Sequence, residues 1–118
     1  MTSFNFKTST EVISKASTEH LYDALLEQLK KDFQLANIDF VTSPTITPEV
    51  LVIVLQERLY LLLLEEFDAF LNLLYVVDVP EKSFEVAKAV DAFEASQQAA
   101  FLILKRELKK VWYKRRYS

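Results

Sequence analysis

The chain has 118 residues, a net charge of −3 and 51% apolar residues, which fits one domain with a substantial core and argues against disorder of the whole. It has 0 Gly, so the phosphate-cradling loops of P-loop and dinucleotide type and the Gly-flanked serine elbow are excluded, since those turns need positive φ and close backbone approach. With 0 Cys and 1 His, disulfides, thiolate zinc sites, thiol nucleophiles, HExxH pairs and multi-His cages are excluded too.

Residues 1–15 carry mixed cues. Phe4 and Phe6 alternate with polar residues, as in a short strand, whereas Thr8 and Glu11 have the spacing of a capping box ahead of Val12 and Ile13. The conflict is read as a loosely held N-terminal arm whose aromatics dock on the rest. Residues 1–10 lack the apolar run of a secretory signal.

The first helix is predicted over about 18–36. Ser17 or Thr18 caps it, and Glu19 and Asp23 suit its positive end. Leu21, Leu25, Leu29 and Phe33 recur at helical spacing, widened by Tyr22, Leu26 and Leu35. Pro44 then forbids a helix. Ile38, Phe40, Val41 and Ile46 are too apolar for a free linker, so residues 37–46 are expected to lie across the other helices.

Thr47, Pro48 and Glu49 start a second helix, expected over about 48–77 and about 45 Å long at 1.5 Å per residue. It is too often charged to span a membrane, with Glu57, Arg58, Glu65, Glu66 and Asp68 interrupting it. The short turn at Asp78, Val79, Pro80 and Glu81, with capping-box spacing, leads into a third helix over about 80–116. So short a link makes the two long helices antiparallel neighbours. The fold class is therefore all-α: a helical bundle dominated by this hairpin, with helix 18–36 packed on it and residues 1–118 forming one domain.

On a wheel of 100° per residue, Glu57, Arg58, Glu65, Asp68 and Asn72 form one polar stripe, and the rest of the second helix is apolar. A rod that is apolar over most of its circumference needs cover from several directions. Two neighbouring helices supply two of them; the third is expected from a second copy of the chain, because exposed apolar patches mark interfaces, the alternative being that residues 37–46 and the N-terminal arm close the gap. The candidate self-association residues are Leu55, Leu59, Leu62, Leu63, Phe67 and Phe70. In the first half of the third helix, Ala87, Ala89, Ala92, Ala95, Ala99 and Ala100 permit close approach, while Val86, Val90, Phe93, Phe101 and Leu104 give volume.

The C-terminal end is basic. Residues 105–118 carry +6 and residues 1–104 carry −9. Lys105, Arg106, Lys109, Lys110, Lys114, Arg115 and Arg116 are candidates for contact with nucleic-acid phosphates or an anionic surface, with Tyr113 or Tyr117 stacking on bases. The competing account is that cations suit a helix C-terminus and solvate it. Glu65 and Asp68, three residues apart, have the spacing to share a hard cation, but without a Glu-x-x-His pair the acidic stripe reads as a solvated edge, or as paired with Lys82 and Lys88. His20 reads as a surface residue, and Trp112 and Tyr75 as core or interface anchors.

Residues 65–81, with Phe67-Asp68-Ala69-Phe70-Leu71, Leu74-Tyr75 and Asp78-Val79-Pro80-Glu81, resemble the hairpin of short uncharacterised all-helical proteins found in bacteria. The likeness covers about a seventh of the chain. It implies a helical hairpin and a bacterial, cytoplasmic setting, and brings no activity, catalytic residue or cofactor. The chain is thus expected to be a non-enzymatic interaction module without metal or cofactor, homo-oligomeric with a dimer favoured, or bound to another protein.

Overall fold

The computed structural model describes residues 5–80, 82–83 and 91–117. The described residues are all-α, with no strand: α1 (Ser9–Thr18), α2 (Tyr22–Leu35), α3 (Pro48–Glu65), α4 (Phe67–Val77) and α5 (Ala92–Tyr117). No helix among them is long and apolar enough to cross a membrane. Phe4, Glu81, Val86, Ala87, Lys88, Ala89 and Val90, which entered the sequence reading, lie outside the described residues.

At the N-terminus the capping cue prevails over the strand cue. Thr8 Oγ1 accepts a hydrogen bond from Glu11 N–H at 3.1 Å and starts α1. Val12, Ile13 and Ala16 are buried, so residues 9–15 are a packed helix and not a loose arm. The helix expected over 18–36 begins instead at Tyr22, after a turn in which His20 takes φ 57°.

That turn recurs, and it explains how a chain without glycine stops its helices. His20, Asn37 and Asp78 all adopt the left-handed region, with φ of 57°, 62° and 77°. Leu21 N–H donates to Ala16 O, Ile38 N–H to Phe33 O, and Val79 N–H to Leu74 O. His20 N–H donates to Ser17 O, Asn37 N–H to Gln34 O, and Asp78 N–H to Tyr75 O. Each is a Schellman closure, and in each the next residue, Leu21, Ile38 or Val79, is apolar and buried. Asn and Asp tolerate this conformation better than His does. His20→Gly is therefore expected to stabilise the fold by roughly 0.5–1 kcal/mol, and Asn37→Gly by less, because glycine removes the strain but adds unfolded-chain entropy. Urea unfolding followed through the sole tryptophan, Trp112, checks this; a loss of stability in His20→Gly would contradict it.

The apolar segment is not one rod. It breaks at Glu66, where φ −143° and ψ 63° leave the helical region, although Glu66 N–H still reaches Leu62 O at 2.8 Å. The expected first arm is thus two helices, α3 and α4, packed on each other. The physical reason lies in coverage. A straight 30-residue rod, apolar nearly all round, outruns the surfaces that could cover it, whereas the break lets α4 bury Phe70, Leu73, Leu74 and Val77 while α3 buries Leu51, Leu55, Leu59 and Leu62. α5 packs against every other described helix, so it, rather than the apolar segment, is the hub.

Residues 37–46 lie across this body. Phe40 stacks on Phe33 with ring centroids 4.4 Å apart. Tyr22 Oη donates to Ile46 O at 2.6 Å, Arg58 Nε to Asp39 O at 2.9 Å, and Asn72 Nδ2 to Ala36 O at 3.3 Å. Burial, with Asp23 and Glu49 nearby, pushes the Tyr22 hydroxyl above its ordinary pKa.

Candidate functional site

The face of α3 turned from the core carries the clearest surface feature. Thr47 Oγ1 accepts from Val50 N–H, and Pro48 pre-sets the first turn, so the helix begins in a fixed register. Leu51, Leu55, Leu59 and Leu62 then fall inward at helical spacing and are fully buried. The same register throws Ile53, Leu61 and Leu64 outward, 54%, 45% and 56% exposed. Phe93, 60% exposed in the first turn of α5, shares a groove with Ile53 and Leu61. Ile53, Gln56, Glu57, Tyr60 and Leu61 line a groove of about 580 Å³ with Phe93 and Ser96. Phe67, exposed at the start of α4, stacks on buried Phe70 at 6.0 Å.

This alters which residues can meet a partner. Of the six candidates, Leu55, Leu59, Leu62 and Phe70 are fully buried and fill the protomer's own core. Leu63 is half-buried and packs on that core, and Phe67 is exposed. Tyr75 is largely exposed, while Trp112 is half-buried. The acidic stripe is interrupted at Glu66, which separates Glu65 on α3 from Asp68 on α4, and Asn72 is engaged with Ala36.

The basic run of α5 divides into two sets. Arg106 is paired with Asp78 at 2.8 Å, Lys110 with Asp32 at 2.5 Å, and Arg115 Nη1 donates to Glu19 O at 2.6 Å, so these three hold other elements onto α5. Lys105 Nζ lies 5.7 Å from the Phe101 ring centroid, and the Arg116 guanidinium 5.3 Å from that of Trp112. Lys109 and Lys114 are exposed. Lys114 and Arg115 line a groove with His20, Lys31 and Glu27 between the N-terminal half of α2 and the end of α5.

A second feature lies under this groove and was not singled out from the sequence. Asp32 of α2 and Glu107 of α5 are both buried, the latter with 0% exposure. Lys110 Nζ sits between them, 2.8 Å from Glu107 Oε1, and Gln28 Nε2 donates to Asp32 Oδ1 at 3.0 Å. Neither carboxyl oxygen of Glu107 accepts a hydrogen bond from a described residue; the 2.8 Å approach of Lys110 is a charge contact without hydrogen-bond direction. Burial first, then a hydrogen bond with Asp32, pushes the Glu107 carboxyl up to about 8 against the opposing pull of Lys110. Burial works against the Lys110 charge, but its hydrogen bond to Asp32 and the attraction of Asp32 and Glu107 prevail and raise its pKa. The readable signal was position: Glu107 lies four residues from both Ile103 and Val111, and Asp32 three from Leu29, so both acids sit on apolar stripes.

No known protein family, curated protein or solved structure matches this chain.

Proposed function

We propose that this chain is a non-enzymatic helical interaction module that self-associates through the outer face of α3 and the start of α5. The observation that supports this is four large apolar side chains about half exposed, Ile53, Leu61 and Leu64 on α3 and Phe93 on α5, of which Ile53, Leu61 and Phe93 line one groove. The antiparallel pairing of the apolar segment with the C-terminal helix belongs to the same reading: Val52 shares a groove with Phe101, and Leu61 shares one with Phe93.

The magnitudes favour a dissociable dimer. Covering the exposed half of each such side chain contributes roughly 1 kcal/mol, so two copies of the four contribute about 8 kcal/mol, against an association cost of about 4–15 kcal/mol. Tyr60 and Phe67 add aromatic area at the margin. The surplus is about 4 kcal/mol at best, so the resulting affinity is about millimolar.

Sedimentation equilibrium from micromolar to millimolar concentration tests this. The wild type is expected to pass from monomer to dimer, and the double variant Leu61→Glu with Phe93→Glu to remain monomeric with its helical content intact. A wild type that stays monomeric throughout would remove the proposal.

A further inference from the structure

We propose that Asp32, Glu107 and Lys110 form a proton-held latch between α2 and α5: one proton shared by the two buried carboxyls keeps the seam closed, and its loss loosens it. The charge count carries the argument. Two buried carboxylates against one ammonium, itself 22% exposed, leave one negative charge without a cation, which is strongly disfavoured unless it is neutralised. A proton on Glu107 makes the cluster neutral. It also converts Glu107 from an acceptor with no donor into a donor for Asp32, which Lys110 and Gln28 already contact.

No other described charge relieves the site. α1, α3 and α4 bury no charged side chain; the buried polar residues are Ser9, Asp32, Ser96 and Glu107. Arg106, adjacent along α5, turns its guanidinium to Asp78. The latch joins distant parts of the chain, since Asp32 and Lys110 are 78 residues apart, and it lies where α2 packs on α5.

The folded protein therefore binds a proton that the unfolded chain releases near 4.5, and holds it up to about 8. Stability from this group is complete below the lower value and is lost as pH rises through the higher one. Between pH 6 and pH 9 the folded-to-unfolded ratio falls roughly a hundredfold on this account.

The decisive experiment is a carboxyl-detected NMR titration of the intact protein, with Glu107 assigned by comparison with Glu107→Gln. The latch requires the Glu107 carbon to move with a midpoint near 8; a midpoint in the ordinary carboxylate range would overturn it. Urea unfolding supplies a second reading. Glutamine copies the neutral acid, so Glu107→Gln is expected to fold and to lose the fall in stability between pH 6 and pH 9. A fall as steep in Glu107→Gln as in the wild type would also overturn the latch.

Discussion

Phe70→Ala is expected to cost about 3–5 kcal/mol of folding stability, a large part of the 5–15 kcal/mol available to an ordinary domain. Phe70 is fully buried, and Phe67 stacks against its ring. Alanine would leave a cavity under the buried face of α4, and the ring of Phe67, itself exposed, would lose its support. The neighbouring Leu73, Leu74 and Val77 are held on the same helix face and relax into the space only in part. Urea unfolding followed at Trp112 measures the loss. A cost under about 1 kcal/mol would mean that α4 does not pack as described. The contrast with Leu61→Glu is informative: Leu61 lies on the outer face, so its substitution should change association far more than folding.

Lys110→Met is expected to cost about 3 kcal/mol at neutral pH. The methionine fills most of the lysine's volume, so lost packing is a small part of that. The main effect is electrostatic: Asp32 keeps Gln28 but loses its cation inside a buried seam. Adding Asp32→Asn to Lys110→Met should return much of the loss, since the charge that needed a partner is gone. Chemical denaturation of the single and double variants checks both statements. A double variant less stable than Lys110→Met alone would show that the ammonium was not serving Asp32.

Helix type and the main apolar registers were legible because they rest on spacing. Thr47 and Pro48 start α3 where expected, and the leucines at 51, 55, 59 and 62 share one face of it. The stops were harder to read. The usual mark of a Schellman closure is glycine, and this chain uses His20, Asn37 and Asp78 in its place. The pattern that marks them is a buried apolar residue directly after a His, Asn or Asp that follows a helical run. The break at Glu66 carries no local sign, neither proline nor glycine; it follows from how much apolar surface the core can cover, which is a property of the whole fold.

The candidate surface was legible in kind and not in detail. An apolar belt around residues 48–65 does imply surface left over once the core is filled, and Ile53, Leu61 and Leu64 are that surface. A helical wheel ranks directions without saying which one faces the protomer's own centre, so Leu55, Leu59 and Leu62 could not be separated from their outward neighbours. Asp32 and Glu107 were hidden by the opposite effect: residues that are mostly solvated sit here on buried stripes, and only the meeting of α2 with α5 gives them partners.

Because the chain has no native cysteine, one introduced thiol reports the association surface directly. Glu57→Cys places it in the groove beside Leu61, and Lys31→Cys places it on α2. With a short bis-maleimide, Glu57→Cys is expected to give a covalent dimer in a concentration-dependent manner while Lys31→Cys stays monomeric. Equal cross-linking of the two variants, or none in Glu57→Cys, would contradict assembly through the outer face of α3.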